Sequence, residues 1–177
     1  HVPQNGQNKF ELETRIKGRI NFTVWSDVFI CPNCSEELVF WEVAVDKEQG
    51  KVKDIFRCLN CGVELKKKDC PRATEVIYDK DIKEAITIAK QVPVLINYSV
   101  GNKRYEKKPD KDDLLLIYQI NNMDIPYWYP TDRMCEGSES RRNDKYGLTH
   151  IHHFYTKRNL YINSCIKDKI EKVENVR

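Results

Sequence analysis

Two Cys-x-x-Cys pairs constrain this chain more than any other feature. The pairs are Cys31–Cys34 and Cys58–Cys61, and each follows a run of strand-forming residues, 28–30 and 54–57. One tight turn between the cysteines of a pair points both sulfurs at one place, and Gly62 after the second pair permits a positive φ. Four sulfurs about 2.3 Å from one ion form a tetrahedral zinc site. We therefore expect these cysteines to bind Zn²⁺, with four reduced thiols or two disulfides as the alternative.

The segment between the pairs has a hairpin pattern. Residues 38–45 are rich in strand formers, 46–51 contain Gly50 and predict a turn, and 52–56 predict the return strand. Strand, knuckle, hairpin and knuckle in this order predict a zinc ribbon over residues 31–70. Sulfur at all four positions leaves no open position for chemistry, so the expected role of the metal is structural.

Composition limits the cysteine pairing, the location and the partners expected for the chain. Seven cysteines are an odd number, so they cannot all pair within the chain, and Cys70, Cys135 and Cys165 have no partner spacing. The sequence has no apolar run long enough for a membrane span and no secretory signal, and we expect a cytoplasmic protein with no membrane partner. The net charge of +3 is too small to indicate nucleic-acid binding by itself. Because the chain starts at His1 and not Met, we expect a piece of a longer protein.

The predicted fold class is α+β: a zinc ribbon joined to a small mixed α/β domain and a C-terminal helix. The expected divisions are an N-terminal strand region (1–30) with alternation over 16–24, the ribbon (31–70), the mixed domain (71–123) and a C-terminal part (124–177). The mixed domain is predicted to contain a strand over 74–78, a helix over 80–90, a hairpin over 94–106 and a helix from about 110. The last part is predicted to be a loop over 132–149 and a helix capped by Thr156.

Few catalytic motifs are present. The chain has no Gly-rich phosphate loop, no Gly-x-Ser-x-Gly and no His-Glu-x-x-His. His150, His152 and His153 could bind a metal or supply a general base, or could simply form a loop that enters a helix. A nuclease of the His-Asn-His type also carries two Cys-x-x-Cys knuckles, but there the histidine lies between them, whereas here the histidines follow Cys61 by about ninety residues. We predict no catalytic residue in this chain.

Several segments resemble one enzyme family. YWYPTDRM (127–134), the Arg141-Arg142 loop, and GLTHIHHFYTKRNL (147–160) resemble bacterial DNA amino-methyltransferases of the N6-adenine/N4-cytosine class. PVLINY (93–98) and GNKRYEKKPD (101–110) resemble the large zinc-containing members of that group. The resemblance covers roughly residues 25–170 and is sharpest over 124–160.

The resemblance implies a place within a larger DNA methylase. In that family an Asp/Asn/Ser-Pro-Pro-aromatic motif comes first, a target-recognition region follows, and a Phe-x-Gly-x-Gly turn comes after. This chain has neither motif, so it corresponds to the insert between them, and by itself it is expected to be inactive. S-adenosylmethionine would bind only in the full-length parent. By resemblance, Thr156, Lys157 and Arg158 lie on a helix that faces the cofactor side, and a helix N-terminus offers free N–H groups to an anion.

The implied partners are double-stranded DNA and the catalytic domain of the parent chain. A hairpin and a long loop extend beyond a packed core and can enter a groove. The basic residues on these two elements are the predicted DNA contacts: Lys103, Arg104, Lys107 and Lys108, and Arg133, Arg141, Arg142 and Lys145. Nearby carboxylates leave open the alternative that they are only solvated surface charges. A zinc-ribbon scaffold module without DNA contact and, less favoured, a metal-dependent nuclease remain as other functions.

Overall fold

A computed structural model describes residues 18–46 and 49–174. In these ranges the chain combines four α-helices with antiparallel strands, as the predicted α+β class requires. The predicted strand over 16–24 begins at Arg19 in the structure, and residues 1–17 lie outside the described part. The strands are β1 (Arg19–Ile30), β2 (Glu37–Val39), β3 (Val45–Asp46), β4 (Lys51–Val52), β5 (Ile55–Arg57), β6 (Glu64–Lys66), β7 (Thr74–Asp79), β8 (Glu84–Ala89), β9 (Gln91–Val100) and β10 (Lys103–Lys107); the helices are α1 (Phe40–Ala44), α2 (Lys111–Asn122), α3 (Ser138–Asp144) and α4 (Lys157–Glu174).

The largest sheet has four strands in the order β10-β9-β1-β2. Strand β9 pairs with β1 over nearly its whole length and turns at Gly101, which has φ 58°, into β10. Two irregularities in the β1–β9 register, near Asn21 and near Trp25, bend this long ribbon. Ile96 and Val28 are almost completely buried in the sheet. No helix among the described residues is long and apolar enough to cross a membrane.

The predicted strand over 38–45 is wrong in its middle. Only β2 and β3 are extended there, and α1 occupies the residues between them. Packing explains the helical turn, because it places Phe40 between Phe29 and Phe56 with ring centroids 5.5 and 5.8 Å away. The apolar cluster formed here overrides the strand propensity of an aromatic segment.

The predicted helix over 80–90 is also wrong, because residues 80–83 form a turn and 84–89 form strand β8. Ile86 lies opposite Ile77 of β7, in a ladder that runs from Thr74 to Asp79. An amphipathic spacing of Ile82, Ala85, Ile86 and Ala89 therefore indicated the wrong period. The turn is fixed by Asp79, whose carboxylate accepts a hydrogen bond from the Asp81 N–H at 2.8 Å, and by Lys83 at φ 59°.

Helices α2 and α4 begin where the sequence predicts. Asp110 caps α2 in a reciprocal box with Asp113, and Thr156 Oγ1 accepts from the Asn159 N–H at the start of α4. The predicted loop over 132–149 is corrected by α3, a short helix inside it. The segment docks on β8, where Ala89 N–H donates to the Tyr146 carbonyl at 3.1 Å. This contact brings the C-terminal part against the β7–β8 hairpin.

Candidate metal centre

The two cysteine knuckles have the same backbone conformation. In the first, Cys31 N–H donates to Glu36 O and Ser35 N–H donates to Cys31 O; in the second, Cys58 N–H donates to Val63 O and Gly62 N–H to Cys58 O, all at 2.9–3.0 Å. Ser35 and Gly62 are equivalent, with φ 61° and 73°. The positive φ at Gly62 was predicted. At Ser35 it was not, because a serine gives no sequence signal for that conformation.

The knuckles bring the four cysteine sulfurs together. The Sγ atoms of Cys31 and Cys61 are 3.7 Å apart and those of Cys34 and Cys58 are 3.6 Å apart, and all four lie within 4.8 Å of one another. With zinc–sulfur bonds of about 2.3 Å, the edge of a tetrahedron is roughly 3.8 Å. The spacing therefore fits four ligands of one ion, and the cysteines are free thiols without a disulfide. The site is compatible with structural zinc.

The pKa values of Cys61 and Cys34 are shifted in opposite directions. A hydrogen bond from Asn33, followed by the Val63 backbone, lowers the pKa of Cys61 to about 6. Although the Glu36 backbone lowers the pKa of Cys34, burial and the three neighbouring sulfurs raise it to about 11. Four thiolates so close together repel one another, and a divalent cation removes this repulsion. The donor set thus fits a soft cation such as Zn²⁺, which would have a structural role because sulfur fills every position.

Apolar side chains pack around part of the cysteine cluster. Cys31 and Cys58 are buried, and the surrounding cluster contains Phe29, Leu38, Ala44, Phe56, Leu65 and Cys70. Burial and the nearby charges of Cys31, Asp69 and Cys58 raise the pKa of Cys70, so its thiol stays protonated. The cluster is small, so an ion held by the four cysteines would supply much of its stability.

A second cluster of side chains of the kinds that bind metals contains Asp79, His152 and His153. Asp79 Oδ2 lies 2.8 Å from His152 Nε2 and 2.7 Å from His153 Nε2, and all three side chains are 7% exposed. His153 Nδ1 accepts from the Thr149 and His150 N–H groups at 3.3 Å, so the proton of a neutral ring is on Nε2. Ligands about 2.1 Å from an ion would be roughly 3.4 Å apart. The contacts are therefore hydrogen bonds between imidazole N–H groups and a carboxylate.

The charge state of Asp79 follows from these contacts. Burial alone would raise its pKa, but hydrogen bonds from His153, His152 and the Asp81 N–H outweigh burial and hold the pKa far below its usual value. Burial, together with its neighbours His153 and His152, lowers the pKa of His150. His152 Nδ1 is buried with no hydrogen-bond partner among the described residues. The three histidines were noticed in the sequence, but nothing there marked Asp79, 73 residues away, as their partner.

Most of the predicted DNA contacts are engaged in ion pairs. Lys107 lies 2.7 Å from both Asp110 and Asp113, and these carboxylates raise the pKa of Lys107. The Lys107 ammonium in turn lowers the pKa of Asp110 to about 2. The other pairs are Lys108–Glu42 at 3.7 Å, Arg133–Asp144 at 3.3 Å, Arg141–Asp144 at 2.6 Å and Arg142–Glu139 at 3.1 Å. Lys145 lies 5.0 Å from the ring of Tyr146. Lys103 and Arg104 are exposed and belong to no ion pair in the described part of the chain.

The predicted cofactor-side residues begin α4. Thr156 is its cap, Lys157 lies 5.9 Å above the ring of Tyr129, and Arg158 is exposed. Beside them a cleft of about 110 Å³ is lined by residues that include Trp128, Tyr129 and Asn163. Binding sites for cofactor-sized molecules typically measure about 300–1,000 Å³. This cleft is too small to hold a cofactor-sized molecule by itself.

Comparisons with protein-family models, with curated proteins and with solved structures found no match for this chain.

Proposed function

We propose that this chain is the target-recognition region of a DNA amino-methyltransferase, with a structural Zn²⁺ bound by a zinc ribbon and duplex DNA as its partner. The observation that carries the proposal is that the two segments that resemble this family lie next to each other in the fold. Residues 127–134 and 147–160 are separated in sequence, yet they pair in space: Met134 N–H donates to Thr149 O at 2.9 Å, and Ile151 N–H donates to Asp132 O at 3.0 Å. Arg133 and His150 form the bridge between them.

The paired segments lead directly into α4. The Tyr127 ring contacts Tyr161 at 5.7 Å, edge to face, so the first segment lies along the helix that the second segment begins. In the family that the sequence resembles, such a helix forms part of the wall of the cofactor site. This arrangement supports a position next to a catalytic domain that supplies the remaining walls.

Exposed apolar side chains support the same partner. Ile162, Ile166, Ile170 and Val173 follow one face of α4 and are each 44% exposed or more. Isolated exposed apolar residues are ordinary, but a continuous row on an 18-residue helix is typical of a face that packs against another domain. The catalytic domain of the parent chain is the proposed occupant.

The first experiment is binding of this chain to duplex DNA, measured by gel shift and by fluorescence anisotropy at several salt concentrations. Binding that weakens linearly on a log–log plot as salt rises is the expected result, because released counterions drive phosphate contacts. The chain alone, given labelled S-adenosylmethionine, should transfer no methyl group to DNA. Absence of DNA binding at low salt, or methyl transfer by this chain alone, would contradict the proposal.

The exposed apolar surface also favours a second candidate, a protein-interaction module without DNA contact. The same titration separates the two functions, since a scaffold module has no reason to show a salt-dependent affinity for DNA. Nuclease activity is tested in parallel by incubation of the duplex with Mg²⁺ or Mn²⁺. Intact DNA is the outcome that agrees with the proposed recognition role.

A further inference from the structure

One end of the main sheet carries a row of polar side chains that the sequence did not single out as a unit. In the registers of β1, β9 and β10, Arg19 lies opposite Ser99, and Ser99 lies opposite Arg104. Residues directly opposite each other on adjacent strands project from the same face. The row therefore has a guanidinium group at each end and a hydroxyl group in the middle, with its outer Cα atoms roughly 10 Å apart at two strand spacings.

Both arginines of this row, unlike those of the 132–146 segment, lack a carboxylate partner. Arg19 and Arg104 are exposed, and neither belongs to an ion pair among the described residues. Arg141, by contrast, lies 2.6 Å from Asp144, and Arg142 lies 3.1 Å from Glu139. An unpaired guanidinium binds an external phosphate without first losing an internal partner, and its fork of N–H donors matches phosphate oxygens.

Amide side chains hold the adjacent part of the face in place. Asn21 Nδ2 donates to Asn97 Oδ1 at 2.8 Å and lies 2.9 Å from Ser99 Oγ, and Asn97 Nδ2 donates to Glu106 Oε1 at 3.2 Å. Glu106, opposite Asn97 on the same face, accepts this amide hydrogen bond and forms no ion pair with Arg104 among the described residues. Asn21 is the extra residue at the irregularity of β1 between Ile20 and Phe22, where it has no residue opposite it on β9.

We propose that Arg19, Ser99 and Arg104 form a phosphate-binding row that contacts the backbone of duplex DNA. The proposal rests on the proposed function and adds to it a surface and a residue, Arg19, outside the predicted set. The row crosses three adjacent strands, β1, β9 and β10, next to the turn that joins β9 to β10. It is roughly 10 Å across, and its two guanidinium groups are placed to contact phosphates of the duplex backbone, which position a protein on DNA without reading the sequence.

The test is the salt dependence of binding to a 20-base-pair duplex by the full chain and by the double variant Arg19→Ala/Arg104→Ala. Each lost phosphate contact reduces the slope of log K against log salt by about 0.9, so the variant should lose nearly two units of slope and about tenfold or more in affinity at low salt. Arg19→Lys/Arg104→Lys should restore most of the slope, because each lysine can contact one phosphate. Because both arginines are exposed, zinc content and circular dichroism should match those of the unchanged chain.

The matched control is Arg57→Ala/Lys172→Ala, which removes two positive charges from the β5–β6 hairpin and the end of α4, each ion-paired on its own element. A loss of slope as large as in the row variant would show a general charge effect and overturn the proposal. An unchanged slope in the row variant, with salt-dependent binding by the unchanged chain, would overturn this inference and leave the proposed function in place. Failure of the unchanged chain to bind any duplex would instead contradict the proposed function. Equal binding to duplex RNA would overturn the assignment to DNA.

Discussion

At the scale of single residues, a few positions set local geometry that no neighbour can replace. The left-handed positions Ser35 and Gly62 close the two knuckles and aim their sulfurs at one point. Gly147, at φ 80°, lies so close to β8 that an added Cβ would be 2.3 Å from Thr87 O and 2.8 Å from Ile88 Cα. The first two positions bring the four cysteines to metal-binding distance, and the third lets the C-terminal part approach a strand.

The metal site should fail when one ligand is removed. Cys58→Ser should reduce zinc content from one ion per chain toward zero and unfold the cluster around the sulfurs, because three thiolates hold the ion weakly and the apolar cluster is small. Elemental analysis after gel filtration and a circular dichroism melt measure both effects. Cys135→Ser is the control, since Cys135 is exposed and is not one of the four clustered cysteines. One bound zinc in Cys58→Ser would contradict the assignment.

Gly147→Ala should destabilise the chain by about 2 kcal/mol or more, because the methyl group meets backbone atoms and the backbone conformation disfavours an L side chain. Urea unfolding followed by tryptophan fluorescence measures the change. Gly137→Ala is the control: its φ of 166° is extended, and nothing lies within 4 Å of an added Cβ. Equal stability of the two variants would show that residue 147 does not pack on β8.

At the scale of elements, polar contacts tie the β7–β8 turn to the segment before α4. Asp79 receives both imidazoles of His152 and His153, and Tyr129 donates a hydrogen bond to Asp81 at 2.9 Å. A two-stranded hairpin is marginal alone, so these contacts replace the neighbouring strand that it lacks among the described residues.

Asp79→Asn should lower the free energy of unfolding at pH 7 by about 1–3 kcal/mol, because the buried imidazole N–H groups lose a charged acceptor. The lowered folded-state pKa of Asp79 means that its carboxylate stabilises the fold above the unfolded pKa of about 4, and that this stability is lost as pH falls through the folded pKa. The difference between the two proteins should therefore decrease below about pH 4. Denaturant titrations at pH 7, 5 and 3 measure it.

Asp124→Asn provides the comparison for Asp79→Asn. Its carboxylate is 91% exposed and pairs with Lys80 at 3.4 Å, so it should change stability very little at any of these pH values. A constant difference for Asp79→Asn from pH 7 to pH 3 would argue against a charged Asp79 at this junction.

At the scale of the whole molecule, the surface combines a small net charge with local ion pairs. Most predicted DNA contacts on α3 and near α2 are neutralised by carboxylates, whereas the tip of the β9–β10 hairpin is not. Of the predicted DNA contacts, Lys103 and Arg104 at this end of the main sheet belong to no ion pair among the described residues. Net charge alone does not reveal this distribution.

Arg141→Ala/Arg142→Ala should weaken duplex binding, because two positive charges are lost and Asp144 and Glu139 lose partners. The salt slope should nevertheless decrease less than in the Arg19/Arg104 variant. Arginines already paired with carboxylates neutralise fewer phosphates, so fewer counterions leave the DNA when they bind. Anisotropy titrations between 50 and about 200 mM salt compare the two variants. A larger effect at Arg141 and Arg142 would move the main DNA contact to the α3 segment.

Local rules were sufficient for several features of this chain. The Cys-x-x-Cys spacing predicted a common site for Cys31, Cys34, Cys58 and Cys61, because two residues between ligands make one turn whatever surrounds it. The positive φ at Gly62, the hairpin over 94–106, the helix from about 110 and the cap of α4 at Thr156 likewise depend on a few neighbouring residues, and the structure confirms them.

Only the tertiary structure decided the features that depend on residues distant in sequence. The segment 84–89 is a strand because it pairs with β7, where Ile86 lies opposite Ile77. The segment 40–44 is helical because the Phe40 ring packs between those of Phe29 and Phe56. Asp79 contacts His152 although the two residues are 73 positions apart in the sequence. Arg19 and Arg104 project from one face because β1 and β10 both pair with β9. No pattern in the sequence indicates either arrangement. Short-range geometry is determined by which residues are neighbours along the chain, whereas long-range contacts are chosen by the burial and hydrogen bonding of the complete fold.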